Sequence, residues 1–165
     1  MPTIEDLIRD EKVSRISEFE KPRYPNFYDL TFRDDLRVCE LLASEHPRWS
    51  IISGYYAMHE ATKLFLAKNF GYKVLDKDVH STTINLLSIV LRESHEDIVE
   101  LFESGYGEYK ALVGELYGAR EERRKAQYYT GTDFTRALFF KKAQQFHDQK
   151  VVPYIEKISL LGDAL

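Results

Sequence analysis

The residues best suited to chemistry lie in one segment, residues 109–129, where an apolar helical face continues into arginines. At about 100° per residue, one face carries Tyr109, Leu112, Val113, Leu116, Arg120, Arg123 and Gln127, with Arg124 at its edge. A guanidinium group is a rigid fork of donors that suits phosphate oxygens, and a tyrosine ring can stack on a base. This pattern indicates a ligand site formed by Arg120, Arg123, Arg124, Gln127 and Tyr128. The alternative is a helix end leaving the core, with its arginines paired to acids such as Glu121 and Glu122.

Histidines are the next candidates for chemistry. His147 falls in the middle of an apolar stripe on the last predicted helix, which favours a core or interface histidine over a general acid or base. His59 lies on a predicted central helix, and His80 with Ser81 is interpreted as a helix cap. The five histidines show no pair at helical ligand spacing, and Cys39 is the single cysteine. We therefore predict no metal site and no cofactor.

Composition sets the class of protein. The chain has 165 residues, 44% hydrophobic and 30% charged, which fits one soluble helical domain with a sizeable core. A net charge of −4 excludes a global basic field for nucleic acid or anionic membrane. A lone cysteine cannot form an internal disulfide. The first residues lack an apolar signal core, and no apolar run approaches about 18 residues, so we expect no membrane span and a cytoplasmic location.

The elements that must position these residues are helices. The most apolar stretch, Trp49 to Gly71, predicts a central helix capped by Ser50 and ended by Gly71. Around it we predict a helix over 3–19 with a Thr3–Asp6 capping box, a connection over 21–29 and a helix over 30–45. Further helices are predicted from His80, from about 94 to 102, from 108 to 129, and from 132 to 161, the last kinked at Pro153.

No strand-like alternation is present, so the predicted fold is all-α, an up-and-down helical bundle of six to seven helices. Gly105 and Gly107 are expected to interrupt the chain between the helices before and after them. We predict a single domain overall, in which residues 1–29 supply an N-terminal helix and an aromatic, proline-containing connection. Residues 30–165 form the helical bundle itself.

Three stretches resemble motifs of the HEPN domain family, a prokaryotic helical domain often associated with nucleotidyltransferases. They are Tyr55 to Ala61 followed by Leu64–Leu66 and Gly71, His80-Ser81 followed by Leu86-Leu87, and Arg123 to Tyr128. The third resembles that family's Arg-x-x-Ala-Asp-Tyr motif, with Gln127 where Asp is usual. A final long helix follows, as in the family, and the resemblance covers roughly residues 30–160.

The resemblance implies a helical bundle that commonly dimerises and binds or acts on RNA or nucleotides, often in toxin–antitoxin or defence systems. It implies Arg123 as the motif arginine, with Gln127 and Tyr128 beside it. Ribonuclease members carry an Arg followed after four to six residues by a His, and no arginine of this sequence has a His at that distance. Standard metal-independent ribonuclease chemistry is therefore not expected.

Three hypotheses follow. The first is a HEPN-like module, a homodimer that binds a nucleotide, RNA or a nucleotidyltransferase-type partner through Arg120, Arg123, Gln127 and Tyr128. The second is an endoribonuclease with a non-standard catalytic pair, Arg123 and His147. The third is a protein-interaction or scaffold subunit that docks through its charged first helix and the aromatic 21–29 segment.

Overall fold

The computed structural model describes the fold of residues 2–91, 94–125 and 133–165, and the side chains of these residues apart from 115–125 and 133–136. This part of the chain is mostly helical, as the all-α prediction requires. Its α-helices are α1 (Ile4–Arg9), α2 (Tyr24–Leu42), α3 (Pro47–Phe70), α4 (Val79–Leu91), α5 (Glu96–Lys125), α6 (Asp133–Phe146) and α7 (Val152–Ala164). Two short strands are β1 (Val13–Arg15) and β2 (Tyr72–Val74), and a π-helical turn, His147–Val151, joins α6 to α7.

Helix α3 is the centre of the fold. It packs against α2, α4, α5, α6 and α7, and its own buried residues lie on most sides of the helix. This confirms the central helix that the apolar stretch predicts. It begins at Pro47, whose fixed φ suits the first turn, and ends at Gly71, whose φ of 70° is the left-handed conformation of a helix cap. The predicted Ser50 cap was wrong. Ser50 lies inside the helix, buried, and its hydroxyl donates to the Cys39 carbonyl at 2.7 Å.

The N-terminal segment contains the first departure from an all-helical chain. The Thr3–Asp6 capping box is confirmed, but α1 ends at Arg9 rather than continuing to residue 19. Glu11 then takes a left-handed φ of 55°, and β1 pairs antiparallel with β2, Val13 opposite Val74. The expectation of no strand was therefore wrong, because two three-residue strands are too short to show an alternation in sequence.

Helix α2 begins earlier than predicted, at Tyr24, so most of the expected 21–29 connection is helical. Pro25 is compatible with this start because the amide that it lacks would have no partner in the first helical turn. The inner face of α2 buries Phe32 and Cys39, as the predicted apolar spacing requires. Its outer face is exposed.

Helix α5 runs through both glycines that were expected to interrupt it. Gly105 lies against Met58 of α3, and a Cβ at this position would come within 2.7 Å of the Met58 Cε atom. This glycine therefore permits close packing of α3 and α5 rather than ending a helix. Gly107 has no neighbour within 4 Å of such a Cβ.

The π turn changes which residues of the last helical run are buried. Phe139, Ala143 and Phe146 are buried at helical spacing, and a regular helix would next bury Lys150. The π turn adds one residue, because the Val152 amide donates to the His147 carbonyl five residues back, and Val151 is buried instead. Pro153, which cannot donate to Gln149, follows directly.

Candidate functional site: an aromatic–histidine cluster

Rings from three helices meet near the middle of α3. Helix α3 supplies rings at i, i+1 and i+4, counted from Tyr55, and α4 supplies one ring from its first turn. Helix α5 supplies rings at i, i+4 and i+7, counted from Phe102. The i, i+4 spacing on α3 and the i, i+4, i+7 spacing on α5 place rings on one face of each helix. We call the group the aromatic–histidine cluster: Tyr55, Tyr56, His59, His80, Phe102, Tyr106 and Tyr109.

A hydrogen bond between Tyr55 and His80 lies at the centre of the cluster. The Tyr55 hydroxyl and His80 Nδ1 are 2.8 Å apart. Burial raises the pKa of Tyr55, and burial together with nearby His59 lowers the pKa of His80 from 6.5 to about 4. Both partners are therefore neutral at pH 7. The predicted His80-Ser81 helix cap was wrong, because α4 already begins at Val79. The His80 ring instead joins α4 to α3.

His59 is the second histidine of the cluster and is almost completely buried. The Thr83 hydroxyl, which donates to the Val79 carbonyl at 2.7 Å, also lies 3.3 Å from His59 Nε2, within hydrogen-bond distance. Glu60 Oε1 lies 3.3 Å from the other ring nitrogen. Burial, the largest cause, lowers the pKa of His59, with Glu60 opposing the shift. The two histidine rings are 4.8 Å apart, a separation that also disfavours two charges.

The outer part of the cluster reaches the surface. Tyr56, Tyr106, Tyr109 and His80 are each partly exposed, whereas Tyr55 and Phe102 are fully buried. The rings of Tyr55 and Tyr109 stack at 4.4 Å, and the Tyr56 and Tyr109 hydroxyls are 3.5 Å apart. Buried rings thus pack against a row of tyrosines that are partly exposed to solvent. Rigid aromatic faces of this kind can stack on nucleic-acid bases.

The predicted ligand residues lie further along α5. The backbone of Arg120, Arg123 and Arg124 belongs to this helix, but their side chains lie outside the described part of the structure. Gln127 and Tyr128 lie outside the described residues altogether. The predicted group of five residues thus stays a prediction. What the fold adds is that α5 is one continuous helix from the cluster tyrosines to the arginines.

His147 lies at the edge of the buried face rather than at its middle. The π turn that begins at His147 moves it there, and its side chain is 23% exposed. Its Nδ1 atom is 2.7 Å from Asp148 Oδ1, and its Nε2 atom is 3.7 Å from Glu40 Oε1 of α2. The proposed contact between His147 and Arg123 involves a side chain outside the described part of the structure.

The described residues offer little support for other kinds of site. Within the described ranges, no group of three or more His, Cys, Asp or Glu residues could hold a metal ion. A shallow pocket of about 140 Å³ lies between α2, α3 and α7, and exposed ion pairs such as Arg33–Asp29 line it. Among the described helices, none is both long and apolar enough to cross a membrane.

Sequence reasoning missed the cluster as a unit, although one signal was present. The i, i+4 pair Tyr55 and His59 and the i, i+4, i+7 set Phe102, Tyr106 and Tyr109 each place rings on one helical face. These patterns show that rings share a face but not that the two faces meet. The long-range contact with His80 had no local signal at all.

Comparison with known proteins adds no relative to this description. No family model matches the chain, no curated protein matches it, and no solved structure matches it.

Proposed function

We propose that this chain is a HEPN-like helical module that binds single-stranded RNA, and nucleotides more weakly, without standard ribonuclease activity. The observation that carries the proposal is the aromatic–histidine cluster. It brings together the Tyr55-Tyr56 and His80 stretches on which the resemblance rests, in contact through one hydrogen bond. It also places partly exposed tyrosines on the same helix as the arginines of the third stretch.

The chemistry of RNA fits the two parts of this helix. Bases stack on aromatic faces, which Tyr106 and Tyr109 supply, and phosphates pair with guanidinium groups, which the segment 120–124 carries. From Tyr109 to Arg123 the helix rises about 21 Å. That length exceeds one nucleotide, so RNA can contact both parts, whereas a mononucleotide reaches one of them. Because the net charge of the chain is negative, any affinity for RNA must come from this local arrangement.

Binding rather than cleavage is proposed for two reasons. The Arg-x4–6-His spacing of ribonuclease members is missing from the sequence. In addition, the two histidines of the cluster have lowered pKa values. Both are hydrogen-bonded to other side chains of the protein, His80 to Tyr55 and His59 to Thr83. Neither is therefore poised to exchange a proton with a substrate near pH 7. The homodimer and the nucleotidyltransferase-type partner stay predictions of the resemblance.

The test is a titration of labelled single-stranded RNA and of mononucleotides, at low salt and then over a salt series. We expect wild type to bind RNA, Arg123→Ala to weaken binding by about tenfold, and Tyr109→Leu to weaken it by a similar factor. Arg9→Ala is the matched control, because Arg9 is an exposed arginine paired to Asp6 on α1. Its affinity should equal that of wild type.

The same samples, analysed on denaturing gels with and without divalent metal, distinguish the alternatives. Cleavage by wild type that Arg123→Ala abolishes would favour the endoribonuclease hypothesis, and His147→Ala would be the next variant. Absence of both binding and cleavage would reject the proposal and favour the protein-interaction hypothesis.

A further inference from the structure

The outer face of α2 carries an apolar stripe with two charges in its middle. Phe27, Leu30 and Leu41 are 58%, 57% and 66% exposed, and Val38 is 38% exposed. With Asp34, these residues fall within an arc of about 80° on the helix, roughly opposite buried Phe32 and Cys39. We call them the outer α2 stripe: Phe27, Leu30, Asp34, Val38 and Leu41, with Arg37, the second charge, at the edge of the arc.

Asp34 and the adjacent Arg37 have no ion-pair partner among the described residues, although both are exposed on a helix rich in charge. Arg33, by contrast, pairs with Asp29 within the same helix at 3.0 Å. Two unpaired opposite charges next to an exposed apolar stripe are what an interface with a complementary surface would use.

The spacing of these residues makes α2 complementary to itself. Phe27, Asp34 and Leu41 recur every seven residues, and Leu30 and Arg37 follow the first two by three, which is the a and d spacing of a coiled-coil seam. When two copies of α2 lie antiparallel so that Leu30 of one faces Leu41 of the other, Asp34 of one faces Arg37 of the other. Both contacts occur twice in a two-fold pair, as a closed dimer requires.

We propose that the outer α2 stripe is a homodimer interface, formed by antiparallel packing of α2 against α2 of a second copy in this register. The interface consists of two Leu30–Leu41 contacts around two central Asp34–Arg37 ion pairs. The stripe is about 21 Å long, so one helix pair buries less surface than permanent dimers do, and we expect a dissociation constant on the order of micromolar. The resemblance implies a homodimer but no interface; this inference assigns the surface and the register, and it does not depend on RNA binding.

Charge reversal tests the register directly, with sedimentation velocity over protein concentrations of about 1–500 µM. Wild type should dimerise with rising concentration. Asp34→Arg places two like-charge contacts at the centre, as does Arg37→Asp, and each should weaken dimerisation at least about 30-fold. The double variant Asp34→Arg/Arg37→Asp restores opposite charges and should recover the dimer. Glu103→Arg, an exposed reversal on α5, is the matched control and should dimerise like wild type.

Mixing the two single variants gives the sharpest result. Each homodimer is repelled, but a heterodimer of Asp34→Arg with Arg37→Asp has two attractive pairs, so the mixture should dimerise where neither variant does alone. A second measurement is oxidative cross-linking. Leu30→Cys/Leu41→Cys should give a covalent dimer, and Leu30→Cys/Val38→Cys, the matched control, should not.

Two results would overturn the proposal. One is a wild type that stays monomeric throughout the range, which would leave the stripe to a different partner. The other is a dimer that both single reversals leave intact, which would place the interface elsewhere. Thermal melting of each variant shows whether it folds, and exposed positions such as 34 and 37 should tolerate the change.

Discussion

The aromatic–histidine cluster and the outer face of α2 treat polar groups in opposite ways. In the cluster, Tyr55 bonds to His80 and His59 bonds to Thr83, so polar atoms are satisfied inside the protein. On α2, Asp34 and Arg37 have no ion-pair partner among the described residues. Burial without a partner is costly, whereas an exposed charge is satisfied by water and stays available to a second molecule. The buried polar groups of the cluster therefore stabilise the fold, whereas the charges of the outer α2 face stay available for the proposed dimer contact.

The largest contrast between the two regions should be in the free energy of unfolding that is lost when an apolar side chain is truncated. Phe102 is fully buried and stacks on Tyr154 with ring centroids 5.2 Å apart. Phe102→Ala should lower the free energy of unfolding by about 3–5 kcal/mol, because it leaves a cavity. Leu30→Ala, on the exposed stripe, should cost less than about 1 kcal/mol at dilute concentrations. Urea unfolding of both variants measures the difference, and similar losses would contradict it.

The next largest contrast between the cluster and α2 should be in the pH dependence of stability. The folded-state pKa of His80, about 4, lies below its ordinary value of 6.5. The unfolded chain therefore binds a proton that the folded chain excludes, and this contribution to stability is present above pH 6.5 and lost as the pH falls toward 4. Because His80 is only partly buried, we expect a loss of about 1 kcal/mol between pH 7 and 5.

Asp35 on α2 should change the pH dependence of stability in the opposite direction. Burial, with nearby Glu60, raises its pKa from 3.8 to about 6, so the folded chain gains a proton that the unfolded chain binds only near pH 4. Its contribution therefore increases stability as the pH falls. Urea unfolding at pH 7, 6 and 5 should show a flatter profile for His80→Gln and a steeper loss on acidification for Asp35→Asn. Identical profiles for the two variants would contradict the assignment.

The smallest expected contrast lies between two glycines of α5. Gly107→Ala should raise the free energy of unfolding by about 0.5–1 kcal/mol, because alanine favours a helix interior and a Cβ there has no neighbour within 4 Å. Gly105→Ala should lower it by about 1 kcal/mol, since the added methyl group would displace buried Met58. Opposite signs in urea unfolding support the packing role of Gly105. Stabilisation by both substitutions would contradict it.

The candidate site was predictable only in part. Sequence spacing placed Arg120 and Arg123 on the face of Tyr109, and α5 is helical through all three positions. The role of His80 was not predictable, because its partner Tyr55 lies 25 residues earlier on another helix. His147 was assigned to the middle of a buried stripe because regular helical periodicity was assumed. One extra residue in the π turn moved it to the edge.

The sequence by itself determined the helical class, the central position of α3, its end at Gly71 and the Thr3–Asp6 capping box. These features depend on apolar periodicity and on contacts within a few residues, which a local pattern contains. Only the tertiary structure decided the pairing of β1 with β2, the π turn, the meeting of Tyr55 with His80 and the exposure of the outer α2 stripe. Each of these depends on how distant elements pack, and packing selects which of several faces is buried.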